Sequence, residues 1–254
     1  MRREPQNSPA IILRQVNYGE SDLIISFLCA DGLLLRGFAR GGRKSVKRFG
    51  AALEPFSQVE ISWQPGRGEL LTLLEAELLQ PRHSLRDSLE RLALAAYASE
   101  LLEMLMQQGE PQPELFALLG GYLDCLAHQG DTALARLLFE LRLVQQLGYI
   151  PHLLHCSECF VQFESGDIPF DPQRGGSLCM ACDTGQSPLR VGLGTLGSLS
   201  RSLHTAIDLF EGFRFGERTL KEGAAMLAAV MQSVLPRAPK SLRFLQQSAD
   251  FGDP

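Results

Sequence analysis

Leu23-Ile24-Ile25-Ser26-Phe27-Leu28-Cys29, a pause at Ala30-Asp31-Gly32, then Leu33-Leu34-Leu35-Arg36-Gly37-Phe38-Ala39: the reading of this stretch decides the N-terminal fold. Asp-Gly between two apolar runs is a tight-turn dipeptide, so the segment reads as a β-hairpin. Upstream, Ala10 to Leu13 starts an earlier run. Downstream, Val59-Glu60-Ile61-Ser62-Trp63 alternates strictly, Gln64-Pro65-Gly66-Arg67-Gly68 turns the chain, and Leu70 to Leu78 completes a second hairpin. Five strands with a long connection between the third and fourth fit a small closed barrel of the oligonucleotide-binding (OB) type. A split sheet without closure would carry the same pattern.

After Pro81 the period changes to that of helices. Ser84-Leu85-Arg86-Asp87 reads as a capping box, and Leu85, Leu89, Leu92, Ala96, Leu101 and Leu105 continue an apolar stripe. Helices are predicted over Glu114–Ala127 and Thr132–Leu147, the latter stopped by Gly148 and Pro151. Residues 152–188 lose all periodicity. Helical patterns return at Leu196–Phe210 and Thr219–Leu235, with a short last one at Lys240–Gln247 and a frayed tail from Ser248. The chain therefore reads as an α+β multidomain protein. Residues 1–80 form the five-stranded barrel, 81–151 and 189–254 the two parts of a helical domain, and 152–188 a cysteine-bearing module.

Composition narrows the class. With 254 residues, 45% of them hydrophobic and 21% charged, the chain is folded rather than disordered. The apolar segment Gly223–Pro236 is too short and too interrupted to span a bilayer. Arg2 and Arg3 precede only a brief apolar run, so no secretory leader is expected and the protein reads as cytosolic. The net charge of −5 conceals an asymmetry. Arg36, Arg40, Arg43, Lys44, Lys47 and Arg48 lie between Asp31 and Glu54 with no acid among them, which leaves 18 of the 24 basic residues to face 29 acidic ones elsewhere. A dense basic segment in an acidic chain marks a surface for an anionic partner.

Two features could carry chemistry. Cys156-Ser157-Glu158-Cys159 and Cys179-Met180-Ala181-Cys182, separated by nineteen residues, are two C-x-x-C knuckles. Each knuckle sets two thiolates on one face of a turn, and four together fill a tetrahedral zinc site with no position left for water, so one structural Zn2+ is expected. Paired disulfides and a redox C-x-x-C are the competing readings. His152 and His155 read as surface histidines rather than ligands, and Cys29 and Cys125 as packing residues. The basic segment is the second feature. Its paired glycines let backbone approach phosphates, and Phe38 and Phe49 flank its cations, a combination suited to single-stranded nucleic acid. A solvated loop that only aids solubility is the alternative. Trp63, in a strand, reads as core. Gly192-Leu193-Gly194-Thr195-Leu196-Gly197 spells the dinucleotide fingerprint but lacks a βαβ context, so it reads as a glycine-rich helix start. No nucleophile elbow, zinc-protease motif or distinctive carboxylate pair is present, and nothing argues for catalysis.

The chain resembles the bacterial RecO family of recombination and repair mediators. The resemblance runs through Ile12-Leu13-Arg14, Tyr18-Gly19-Glu20-Ser21-Asp22, Gly41-Gly42-Arg43-Lys44-Ser45 and Arg48-Phe49-Gly50-Ala51-Ala52-Leu53-Glu54-Pro55. It continues through Gly66-Arg67-Gly68-Glu69-Leu70, the four cysteines and Lys240-Ser241-Leu242-Arg243-Phe244-Leu245. It implies an N-terminal OB-fold, a helical domain and a zinc module in a non-enzymatic protein. Such a protein binds single- and double-stranded DNA, anneals complementary strands and, with RecR, helps load RecA on strands coated by single-stranded DNA-binding protein (SSB). It also implies DNA-binding roles for Arg36, Arg40, Arg43, Lys44, Lys47 and Arg48, zinc ligation by Cys156, Cys159, Cys179 and Cys182, and a cytoplasmic, nucleoid-associated location; Phe49, from its place beside the cations, is expected to bind DNA with them. Val46 stands where the resemblance leads one to expect a basic or polar residue. The helical domain is the expected dock for the SSB C-terminal tail, with Arg142, Arg201, Arg214 and Lys221 as candidate anchors. A zinc-containing scaffold and an OB-fold enzyme that modifies nucleic acid are the other classes considered.

Overall fold

A computed structural model describes residues 4–242, save 67, 69, 108 and 150, together with residue 245. The predicted hairpin forms β2 (Asp22–Cys29) and β3 (Leu34–Ala39), preceded by the long β1 (Gln6–Tyr18) and followed by β4 (Gln58–Gln64) and β5 (Leu71–Gln80). Gly32, at the turn, has φ +83°, which a glycine adopts without a Cβ penalty. β1 pairs antiparallel with both β2 and β4, β4 with β5, and a short parallel contact of β3 with β5 closes the barrel in the order β1-β2-β3-β5-β4. Closure occurs at Gly37, opposite Leu71, where a Cβ would stand 2.3 Å from the Leu73 side chain. The barrel is thus closed, and the split-sheet alternative falls.

Alternation along the strands fills the interior. Ile12, Ile25, Phe27, Val59, Ile61 and Trp63 all face the core, with Trp63 edge-on to Phe27 at 5.8 Å between ring centroids. Cys29 is fully buried there, and burial, with the Asp31 charge, pushes its thiol up to about 12. A bulge between Ile12 and Arg14 in β1 resets the register, so beyond it Arg14, Val16 and Tyr18 lie on the outer face.

A 3-10 turn at His83–Asp87 leads into α1 (Leu89–Leu105), then α2 (Pro113–Ala127). The capping-box reading of Ser84 needs correction. Its hydroxyl donates to the Ala127 carbonyl at 3.0 Å, and Ser88 caps α1 by accepting from the Arg91 N–H. Tyr97, Ala98, Leu101 and Leu102 supply the buried face of α1. The first compact unit comprises residues 1–128 and 239–254, so α1 and α2 belong with the barrel. Two contacts explain why. Gln112, before α2, approaches Gly32 so closely that a Cβ would lie 2.0 Å from its carbonyl carbon, and buried Arg82 bonds both Asp124 (2.7 Å) and the Phe56 carbonyl (2.9 Å). Residues 240–242 are helical, with the N–H groups of Lys240 and Ser241 held by the Glu100 carboxylate at 3.0 and 2.9 Å. The rest of the predicted last helix and the tail lie outside the described residues, apart from residue 245.

The second unit, residues 129–238, holds α3 (Thr132–Gln146), β6 (Asp167–Asp171), β7 (Gly176–Ser177), β8 (Leu189–Gly192), α4 (Leu193–Ser202) and α5 (Glu217–Val234). Asp131 caps α3, its carboxylate accepting from the Leu134 N–H. β6 is the centre of a three-stranded sheet in the order β7-β6-β8. Sequence periodicity gave no sign of it because Ile168, Pro169 and Phe170 are buried in succession, which removes the alternation. α4 ends at Ser202 rather than Phe210. There the chain turns into a loop held by Arg142, a fully buried guanidinium that donates to the Ile207 and Leu209 carbonyls and the Thr205 hydroxyl. Burial brings Arg142 down to about 10, partly offset by Asp208. No helix among the described residues is long and apolar enough to cross a membrane.

Candidate nucleic-acid interface and metal centre

The cations collect on β3 and on the loop of residues 40–57 that follows it. Arg36, Arg40, Arg43, Lys44 and Lys47 are exposed. The loop is shaped by the β1–β2 turn beneath it: the Asp22 carboxylate accepts the Gly41 N–H at 2.7 Å, and the Ser21 carbonyl accepts the Arg43 N–H at 3.0 Å. Gly41, with φ +66°, needs its glycine for this bend. Farther along, the Arg48 carbonyl accepts the Ala76 N–H of β5 at 2.8 Å. The loop is therefore laced to the barrel on two sides, which fixes its charges in place.

Arg48 and Phe49 differ from their sequence reading. Arg48 is half-buried; it donates to the Ser45 hydroxyl and the Arg40 carbonyl, and its guanidinium lies 4.9 Å over the Phe49 ring. It braces the loop. Phe49 is only 2% exposed and belongs to the barrel core with Ala52 and Leu53, so its ring offers no face to a base. The loop turns back to plug the barrel with these three apolar side chains.

The accessible aromatic surface lies elsewhere, on the outer face of β1, β2 and β3. Register aligns Arg14, Ser26 and Arg36 in one row, and Val16, Ile24 and Phe38 in the next. Tyr18 stands at the end of β1, 57% exposed, its ring edge-on to Phe38 at 5.7 Å. Sequence reading named Tyr18 only within a motif. The signal was present: Val16 and Tyr18 share an alternation whose partners face out. Across the barrel, Glu60 on β4 opposes Glu77 on β5, with Glu75 nearby, so the outer surface carries cations on one side and carboxylates on the other. Phosphate is attracted to one side only.

In the second unit, the sulfurs of Cys156, Cys159, Cys179 and Cys182 all lie within 4.8 Å of one another, with Cys159 and Cys179 at 3.6 Å. A tetrahedral ion bonded to sulfur at about 2.3 Å would space its ligands by roughly 3.8 Å, so the four fit a zinc ion. Burial opposes ionisation of Cys156, but N–H groups of Cys159, Cys179 and Glu158 donate to its sulfur and bring it down to about 6. Cys179 is also lowered, chiefly by the Cys182 N–H. All six cysteines are free of disulfides. His152 and His155 face each other at 2.7 Å between ring nitrogens and stand apart from the metal group.

The glycine fingerprint starts α4 as expected, and its anion position is already filled. The Glu222 carboxylate of α5 accepts the Gly192 N–H (2.9 Å) and the Thr195 hydroxyl (2.6 Å). Burial works against this charge, but Thr195, Arg218 and Gly192 hold it below the usual carboxylate range. A dinucleotide phosphate would have to displace it.

Comparison with known proteins follows the same two-part layout. The model of the Recombination protein O N terminal matches residues 1–82, and that of the Recombination protein O C terminal matches residues 86–243. The chain belongs to the RecO family. It is 45% identical over 242 residues to the DNA repair protein RecO of Syntrophotalea carbinolica, covering 95% of this chain and 94% of that one. The RecO of Anaeromyxobacter sp. strain K is 34% identical over 93% of this chain and 94% of its own. That of Geobacter metallireducens is 32% identical over 96% and 98%. RecO membership supports a role in DNA repair, and the closed five-stranded barrel is the OB-fold of the N-terminal RecO domain.

Proposed function

We propose that this chain is a non-enzymatic recombination mediator that binds and anneals DNA strands on its barrel and, with RecR, helps load RecA on SSB-coated single strands. The observation that carries this reading is the juxtaposition of five exposed cations on a braced surface with the Tyr18–Phe38 aromatic face. Annealing two polyanions is opposed by phosphate repulsion. Arg36, Arg40, Arg43, Lys44 and Lys47 neutralise phosphates of either a single strand or a duplex and lower that barrier. Tyr18 and Phe38 stack bases, which keeps them unpaired yet open to a complementary strand. No bond is made or broken, so the chain needs no nucleophile.

Zn2+ held by Cys156, Cys159, Cys179 and Cys182 would cross-link the segment around β6, a structural role. The SSB tail has a narrower choice of dock than the sequence suggested. Arg142 is buried and committed to its own loop, whereas Arg201 lines a cleft of 780 Å3 beside Leu154, Phe163 and Leu193 and is the anchor we favour.

The test is annealing of complementary oligonucleotides, bare and SSB-coated, with the wild-type protein and with Arg43→Ala/Lys44→Ala/Lys47→Ala. Acceleration by the wild type that the triple variant loses is the expected result. Equal acceleration by both, or none by either, overturns the assignment.

A further inference from the structure

The cleft that Arg201 lines and the four-cysteine module share a wall. Cys156 and Cys159 lie in the turn of a short hairpin. There the Phe160 N–H donates to the Cys156 carbonyl at 3.0 Å, and the Cys156 N–H to the Val161 carbonyl at 2.9 Å. Farther along its two arms, His155 faces Gln162, and the Phe163 N–H donates to the Leu154 carbonyl at 3.2 Å. Leu154, His155, Gln162 and Phe163 all line the 780 Å3 cleft, and the second arm continues along it to Asp167. α4 forms the opposite wall, with Leu193 and Arg201.

The two arms are held differently. The first is braced by β7: the Ser157 N–H donates to the Ser177 carbonyl at 2.9 Å, and Leu153 is buried. The second buries almost nothing. From Glu158 to Asp167 every residue is exposed except half-buried Phe163, so apolar burial contributes little to ordering it. Water competes for its backbone hydrogen bonds, whose net contribution is small. Ordering the segment nevertheless costs conformational entropy at every residue. Its far end is anchored, since the Gly166 carbonyl accepts the Leu193 N–H at 3.0 Å and Asp167 pairs with Arg218 at 2.6 Å. Its near end is anchored through Cys159, whose sulfur is grouped with those of Cys156, Cys179 and Cys182. A metal bond at Cys159 stands in for the missing core.

We propose that metal bound by the four cysteines switches the cleft on: the arm after Cys159 forms a wall only while the ion is held, so metal and peptide occupancy are coupled. This rests on two readings given above, the four cysteines as a metal site and the cleft as the dock for the acidic SSB tail. The coupling is reciprocal, because two ligands that need the same ordered segment each strengthen the other's binding by one common factor. A peptide that packs on Phe163 and pairs with Arg201 keeps the arm, and with it Cys159, in place. The barrel belongs to the first unit and stays outside this coupling.

Two titrations of the full chain test it, with a fluorescent SSB-tail peptide and a colorimetric zinc chelator as probes. Elemental analysis first gives the zinc content of each preparation. The peptide should bind the zinc-loaded protein roughly tenfold or more tightly than the chelated protein, and restored zinc should restore the affinity. In chelator competition, saturating peptide should raise the affinity for zinc by the same factor. Arg201→Glu should hold zinc as the wild type does and show no effect of the peptide. Single-stranded oligonucleotide binding should be the same before and after chelation. A peptide affinity indifferent to zinc, or a zinc affinity indifferent to saturating peptide, would overturn the proposal. Loss of oligonucleotide binding on chelation would do so too, because the metal would then act on the whole chain rather than on the cleft. Failures of the two underlying readings look different: a protein that takes up no zinc defeats the metal site, and a zinc-loaded protein that ignores the peptide defeats the dock. Either result takes this proposal with it.

Discussion

Exchanging the roles of Phe49 and Tyr18 has a measurable consequence. Phe49 is 2% exposed in the barrel core, and Arg48 rests on its ring. Truncation to alanine removes a buried aromatic and should cost about 3–5 kcal/mol. For a chain of this size that lowers the melting temperature by roughly 10–15 °C. Tyr18 is 57% exposed at the end of β1, touching Phe38 by its edge. Tyr18→Ala should change stability by no more than about 0.5 kcal/mol. A lost base-stacking contact is worth about 1–3 kcal/mol, so the same variant should weaken single-stranded DNA binding by roughly 5- to 150-fold. Differential scanning calorimetry and oligonucleotide anisotropy read the two quantities. Phe49→Leu, which keeps the core apolar, is the companion variant: it should lose some stability and bind DNA as the wild type does. The reasoning is refuted by a fully stable Phe49→Leu that binds poorly, or by a Tyr18→Ala with undiminished affinity.

Three further outcomes follow from particular contacts. Gly32→Ala forces a Cβ to within 2.0 Å of the Gln112 backbone at φ +83°, and should destabilise the first unit by about 2–5 kcal/mol in a denaturant titration. Asp22→Ala releases the Gly41 N–H and should loosen the cation loop, weakening DNA binding without altering the salt slope; Asp22→Asn, which keeps the acceptor, should restore most of it. Removing the metal with a chelator, or replacing Cys179 and Cys182 by serine, should expose residues 152–188 to limited proteolysis while the barrel resists. Acidification should favour metal loss as well, because protons compete with the metal for all four thiolates.

How much of this was legible before the structure depends on which signal each residue carried. The five strands could be read because Asp31-Gly32 and the alternation of Val59 to Trp63 are local signals that tertiary packing did not override. The cysteine spacing was equally plain, since a tetrahedral site imposes it. Phe49 was misread because an aromatic beside cations looks the same whether its ring faces a ligand or the core; only the return of the loop to plug the barrel decides it. Ser84 satisfied the capping pattern, yet its hydroxyl reached a carbonyl 43 positions away, a contact that no local rule contains. Arg142 looked like a surface anchor on α3, but its burial depends on the loop after α4 that wraps it. The misreadings share a cause: each residue's role is set by a partner distant in sequence.

The most direct test of the central claim is the salt dependence of single-stranded oligonucleotide binding, followed by anisotropy. Arg48 is occupied within the loop, which leaves five exposed cations to meet phosphates. The slope of log affinity against log salt should therefore lie near −3.5, from about 0.7 per contact. Arg43→Ala/Lys44→Ala/Lys47→Ala should bring it to roughly −1.4 on the same basis. A slope that the triple variant leaves unchanged, or no binding at low salt, would contradict the assignment of the barrel's cationic side to DNA.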